Sequence, residues 1–422
     1  MNVKILIYCF IYMILNIECS NSSNPAKTLF QVDTTAVHLG PNGSGIVYYV
    51  SNTGSDKNPG TVSAPFRTVQ KAANVVKPGD NVMVDNGTYT SNSGDNVVTL
   101  TRSGTADHPI TFISKNKYGA VLDGQDNKLK FGFVFEKVSY VYLKDFEFKG
   151  FGIWTIHVKP GSSHIEISGN HIHNIGRYCT STDIGIVGCY LEEATDVVFK
   201  DNLLHDIGRF ADGENGCSNS NANYMNHDHG LYLNGVTNVI ANNNIFYNIQ
   251  RGQGIHIYSS EGYGSTEVKI INNTFAFGNP YSSAGHIIVW GDLANTLIAN
   301  NIFYSQKGSG IQVYQGPFSY TNVEIKNNVA FLGDGTVVDG TASGVSESNN
   351  FNKTDPKMIN PRVFNFKLQS SSPVINAGFK VGLTTDYSGN KIVGLPDIGA
   401  LEYTGSAEPE YGLVPKPAGA EK

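Results

Sequence analysis

One asparagine recurs along this chain, and its spacing constrains the fold more than any other feature. "CYLEEATDVVFKDNLLHDIGR" (189–209) and "LYLNGVTNVIANNNIFYNIQR" (231–251) align without a gap at an offset of 42, setting Tyr190 on Tyr232, Asn202 on Asn244 and Arg209 on Arg251. "HIEISGNHIHNIGR" (164–177) matches 32 residues upstream, and "VKIINNTF", "LIANNIF" and "VEIKNNVAF" continue the series. Asn170, Asn202, Asn244, Asn273, Asn301 and Asn328 are thus 32, 42, 29, 28 and 27 residues apart. Each unit reads as two or three short alternating strands joined by Gly or Asn turns. Such a rung cannot bury its apolar face alone, so the copies must stack. Stacking gives the asparagine a role, because its amide can hydrogen-bond its copies above and below. Variable length between constant strands suits a coil whose turns bulge outward. That is an all-β, single-domain parallel β-helix; a propeller or leucine-rich repeat would need a steadier period.

The rest of the chain frames the stack. "SAPFRTVQKAANVVKPGD" predicts a capping helix over 65–76 with Ser63 as N-cap and a Pro-Gly stop. The β-helix is expected over 46–404, its last part (350–404) a closing segment, followed by a mobile Pro/Gly/Ala-rich tail over 405–422. The start, "MNVKILIYCFIYMILNIEC" (1–19), has the layout of a secretory signal, which places the protein outside the cell or on its surface. Cys19 before "SNSS" raises lipid attachment as an alternative, against which Glu18 and Asn16 count. No other stretch is long and apolar enough for a bilayer, so integral membrane association is not expected. A net charge of −6 argues against nucleic acid as partner, although a local basic row could still hold an acidic polymer. A monomer is expected.

"YYVSNTGSDKNPGTVSAPFRTVQKAANVVKPGDNVMV" strongly resembles the opening segment of secreted right-handed parallel β-helix proteins of the pectate-lyase-like superfamily, and "SSPVINAGF…DYSGNKIVGLPDIGALEY" resembles the closing segment of many bacterial members. The resemblance implies a right-handed coil. It leaves activity open among polysaccharide lyases, glycoside hydrolases, uronate epimerases and adhesive proteins, and no catalytic signature of these families transfers residue by residue.

Register then predicts neighbours. In the strand preceding each Asn unit, Ile156/Val158, Cys189/Leu191, Leu231/Leu233, Ile255/Ile257, Ile287/Val289 and Ile311/Val313 should face the core. Two outward columns result: His157, Tyr190, Tyr232, His256, Ile288, Gln312; and Lys159, Glu192, Asn234, Tyr258, Trp290, Tyr314. Sugar rings stack on aromatic faces and their hydroxyls need polar neighbours, so this strip suits a carbohydrate chain. The plainer reading is that aromatics simply suit strands. A further column, Arg177, Arg209 and Arg251, either bonds turn carbonyls or clamps uronate carboxylates.

Loop lengths mark one edge of the strip. Arg251 reaches Gly254 in three steps, whereas Arg177 takes eleven to Gly188 and Arg209 takes twenty-one to Gly230. Long insertions on a rigid scaffold are where recognition tends to reside. Each long loop carries a cysteine, so Cys179–Cys217 is the preferred disulfide, leaving Cys189 buried and free. "NHDHG" (226–230) ends the longer loop and would bring His227, Asp228 and His229 beside Tyr190, Tyr232 and His256.

These groups suit β-elimination of a uronate: His229 or His256 as base, Tyr232 (or Tyr190) as acid, and Arg251 with Arg209 holding the carboxylate. The expectation is thus an enzyme, a lyase acting on an acidic polysaccharide. A hydrolase would need two facing carboxyls, with Asp183, Glu192, Glu193 and Asp228 as candidates; an epimerase would use the lyase's groups. A non-catalytic binding protein is the third class. No cofactor is required by the pattern; Ca²⁺ would need Asp183, Asp206 and Asp228 to converge.

Overall fold

In the computed structural model, residues 45–218, 226–259 and 262–405 are described; the signal sequence expected over 1–19, Cys19, and all of the expected tail but Gly405 lie outside them. Three parallel sheets of short strands wind around one core. The first sheet has eleven strands, the other two nine each, and a two-stranded antiparallel pair lies near the C-terminal end, all among the described residues. One coil shows the plan: Thr195–Lys200 in the first sheet, Leu203–Ile207 in the third, His229–Asn234 in the second, then Thr237–Asn242 in the first again. The connections from the first sheet to the third, and from the second to the first, are two residues long here; those entering the second sheet vary. The two longest insertions, after Ile175 and Ile207, therefore lie along one edge, while shorter ones interrupt the corner from the second sheet to the first, as after Leu100, Tyr258 and Val313.

The recurring asparagine sits in the short turn from the first sheet to the third. The residue before it is left-handed at every rung, with φ of 67° at Gly169, 55° at Asp201, 54° at Asn243 and 53° at Asn272. Only Gly, Asn and Asp accept that conformation readily, which explains the repeated "GN", "DN" and "NN" pairs. Asn202 shows the ladder geometry. Its backbone N–H and its amide Nδ2 both donate to Asn244 Oδ1 (3.0 and 3.1 Å), while Nδ2 also donates to the Ile167 carbonyl of the rung above. The same bonds link Asn170 to Asn202 and run on through Asn273, Asn301 and Asn328 to Asn350. Every member is thus satisfied inside the core, which is what makes a buried amide tolerable.

The apolar pairs expected inside, from Ile156/Val158 to Ile311/Val313, are all buried in the central core. The outward columns hold their register: His157 pairs with Tyr190, Tyr190 with Tyr232, Tyr232 with His256, and Glu192, Asn234, Tyr258 and Trp290 follow one another alongside.

Two terminal elements differ from expectation. The capping helix spans Val69–Ala73, shorter than 65–76, and Thr68 rather than Ser63 caps it, its hydroxyl accepting from the Lys71 N–H. Phe66 forms a β-bridge with Val50, which holds Pro65–Arg67 extended and delays the helix. The closing segment runs along the outside of the third sheet. Its Met358, Phe364, Phe366 and Val374 pack on Leu203, Ile245, Tyr247 and Ile302 in a second apolar cluster. The left-handed turn asparagines tie it down: Asn243, Asn272, Asn300 and Asn327 donate to the carbonyls of Thr385, Asp397, Phe379 and Ala377. Residues that would otherwise be solvent-facing turn amides thus hold a strap.

Candidate functional site

The strip of the second sheet forms the floor of a cavity of about 450 Å³, walled by the two long loops. Cys179 and Cys217 are disulfide-bonded, with Cα atoms 5.6 Å apart, and join these loops; Cys189 is a buried free thiol. Tyr190, Tyr232, His229 and His256 converge on this cavity, with Tyr258 and Trp290 continuing the floor and Asp183 and His227 on the rim.

The middle of "HDH" is a brace. Asp228 is fully buried, and its carboxylate accepts from Nε and Nη2 of Arg209 (2.9 and 2.7 Å) and from the backbone N–H groups of Arg209 and Ile186. Arg209, equally buried, also donates to the carbonyls of Thr182 and Ile184 in the opposite loop. Gly252 passes beneath so closely that a Cβ there would lie 1.8 Å from the Asp228 carbonyl oxygen. A buried charge pair is tolerable only when its remaining hydrogen-bonding capacity is used, and here it is. Arg209 therefore holds the loops together and cannot reach a substrate, contrary to the clamp expected from sequence. Arg251 is also buried, packed over the Tyr281 ring at 5.2 Å and outside the cavity lining. Arg177 bonds Gly208 O and pairs with Glu214. The arginine column is a set of loop anchors, and no lysine or arginine lines the cavity among the described residues.

Hydrogen bonds settle the histidine tautomers. Nδ1 of His229 lies 3.2 Å from the Gln253 backbone N–H, which can only donate, so Nδ1 is the acceptor and Nε2 carries the proton. That proton is donated to His256 Nδ1 at 3.1 Å, leaving His256 protonated on Nε2. Neither ring thus presents a lone pair to the cavity, and both bases expected from sequence are used up in this chain. Burial drives both imidazoles toward neutrality, His229 well below its usual pKa and His256 to about 3. At the exposed His227 the order reverses. Its Nδ1 faces the Asp183 carbonyl at 3.3 Å, so Nδ1 donates and, in the neutral ring, the lone pair is on Nε2.

Both phenols are held in the protonated form by burial. Tyr190 OH accepts from Asn234 Nδ2 at 3.0 Å, and burial pushes its pKa up to about 12. Tyr232, its ring centre 4.8 Å from that of His256 and 5.2 Å from that of Tyr190, is also raised by burial and so stays protonated. Beyond the cavity the strip is self-paired. His157 lies flat on Tyr190 and bonds Glu192 at 2.9 Å, Lys159 bonds Glu136 at 2.6 Å, and Tyr314 stacks on Trp290 at 3.7 Å. Glu192 is thereby committed to His157.

The calcium trio does not assemble. Asp228 is spent on Arg209, Asp206 lies on the third sheet bonded to His205, and Asp183 stands apart on the cavity rim. Sequence reasoning also missed Trp154, Asn226 and Gln253, which line the cavity. Trp154 was not legible, since alternation from the inward Ile156 would turn it toward the core, whereas it lines the cavity beside its strand partner Val187. Nor was Asn226: its Oδ1 accepts from Gln253 Nε2 and Asn279 Nδ2 (3.1 and 3.0 Å), a meeting of three loops.

Comparisons with known proteins agree with this architecture. The family described as a Pel9A-like right-handed β-helix region matches residues 48–213, and a right-handed β-helix region matches 210–392. The chain is a right-handed parallel β-helix of the pectate-lyase-like type. Among solved structures, pectate lyase Pel9A superposes with a TM-score of 0.52 at 17% identity, covering 86% of this chain and 98% of that one, a likeness of fold. The uncharacterized protein YwoF of Bacillus subtilis is 33% identical over 147 residues, 32% of this chain and 30% of its own. Pectate lyase PEL9 of Emericella nidulans is 33% identical over 78 residues, 18% of each chain. The matches thus span less than a third of either relative. No helix among the described residues is long and apolar enough to cross a membrane.

Proposed function

We propose that this is a secreted or cell-surface enzyme that binds an acidic, uronate-containing polysaccharide along the aromatic strip and cleaves it by β-elimination. The observation that carries the reading is the division of proton states in one cavity: an accepting Nε2 on His227 and protonated Tyr232 and His256 beside it. In this reading His227 Nε2 takes the C5 proton, the electron pair forms the C4–C5 double bond, the C4–O4 bond breaks, and Tyr232 protonates the departing O4. The carboxylate is held by neutral donors in place of the arginines: the Asn226 amide and, once binding uncovers that buried atom, His256 Nε2–H. Hydrogen bonds aimed at developing charge in a water-poor site stabilise it without a full cation. His229 positions His256. Hydrolysis is less well served, because Asp183 is the one carboxylate on the cavity wall among the described residues. The likeness to pectate lyases supports the fold class and the choice of substrates to try.

The test is incubation with pectate, alginate and glycosaminoglycans while following the ultraviolet absorbance of the unsaturated product. Tyr232→Phe and His227→Ala are expected to lose about 10²–10⁴-fold in rate with folding unchanged. Full activity in both variants removes the assignment, and new reducing ends without that absorbance replace elimination by hydrolysis.

A further inference from the structure

Away from the cavity, on the outer face of the third sheet, His171 and His173 of one strand and His205 of the next bring three imidazoles together, their candidate ligand nitrogens within 4.8 Å of one another. We propose that His171, His173 and His205 form a binding site for a transition-metal cation of the Zn²⁺ class that cross-links two rungs of the coil.

Proton bookkeeping supports this. His205 Nδ1 faces the Asp206 carboxylate at 2.6 Å, and a carboxylate accepts, so the proton is on Nδ1 and the Nε2 lone pair faces the cluster. His173 Nε2 faces Glu147 at 3.2 Å, which protonates Nε2 and leaves the lone pair on Nδ1. His171 Nε2 lies 2.7 Å from His205 Nε2, so a single proton bridges them. A metal ion takes the place of that proton once the two nitrogens open to the roughly 3.3 Å that Zn–N bonds of about 2.0–2.1 Å require. Two of the three imidazoles thus already carry the carboxylate partner that orients metal-binding histidines and makes them stronger ligands.

The surroundings favour nitrogen ligation. Tyr118 covers His171 at 5.2 Å between ring centres, and Tyr247 stacks flat on His205 at 4.5 Å. His171 and His205 are both buried. His173, with 15% of its side chain exposed, is the open side through which an ion enters and where water completes the coordination. Imidazole ligands suit Zn²⁺, Ni²⁺ or Cu²⁺ rather than Ca²⁺ or Mg²⁺.

The experiment is a calorimetric titration of untagged, chelator-stripped protein with Zn²⁺, repeated with Co²⁺ to read nitrogen coordination from its visible spectrum. One ion per chain is expected. Asp206→Asn should weaken binding about 10–100-fold by removing the orienting carboxylate, and His173→Ala by more than that. Asn accepts the φ of 51° at position 206, so that variant keeps the fold even if His173→Ala does not. Three results overturn the proposal: no saturable Zn²⁺ binding by the wild-type chain, undiminished affinity in the folded variants, or binding that is lost in His227→Ala instead, which would place the ion in the cavity.

Discussion

The asparagine ladder and the aromatic strip are both columns produced by the same stacking, yet they serve opposite ends. In the ladder every rung repeats one residue, each amide is buried, and each polar atom is bonded to the rung above or below. In the strip the residue changes from rung to rung, and the buried His256 Nε2 has no hydrogen-bond partner among the described residues. Where hydrogen-bonding capacity closes on the protein itself, a column is structural. Where it is left toward a cavity, the column is able to bind something. The arginine column illustrates the rule, since Arg209 looked like a ligand-binding residue until its donors were found to end on Asp228, Thr182 and Ile184.

Three measurements sharpen or break this contrast. The largest effect is expected from Asn244→Leu, which takes the Asn244 partner from the Asn202 backbone N–H, from one N–H of the Asn202 amide and from the Phe199 carbonyl. At about 1–3 kcal/mol for each buried group left unpaired, the loss of unfolding free energy should be several kcal/mol in denaturant titration. A loss below about 1 kcal/mol would show that the ladder is not a structural column. Acid should act next. His286 is a second buried imidazole, just before strand Ile287–Trp290 and beside Phe275. The folded pKa values of His256 and His286, about 3 and about 4, lie below the unfolded value near 6.5, so the unfolded chain binds more protons as pH falls. Stability is therefore expected to be level above about pH 6.5 and to fall steadily from there toward pH 4, read as a drop in thermal midpoint. A rise over that window would contradict the neutral histidine chain. Smallest is the effect of Tyr232→Phe on stability, expected within about 1 kcal/mol by thermal unfolding, because its hydroxyl serves the cavity rather than the core. A large destabilisation would make the strip structural after all.

Much of this was legible in the sequence. The repeat gave the coil, the inward pairs, the outward register and the linked loops, because an in-register parallel stack converts sequence offset directly into neighbourhood. Cys179 and Cys217 were legible for the same reason. The roles of the histidines were not. Whether His229 is a base depends on a backbone N–H contributed by Gln253, and no spacing rule foretells which way a loop amide points. Nor did periodicity show the path of the closing segment, since the turn asparagines that hold it look the same whether they bond water or a strap.

The chain by itself determined the stack, because left-handed turns need Asn, Asp or Gly and lone rungs cannot stay dry. Only the tertiary structure decided which polar groups were consumed internally and which face a ligand. That choice rests on hydrogen-bond directions and on a few tenths of an ångström, quantities that arise when loops from distant rungs meet.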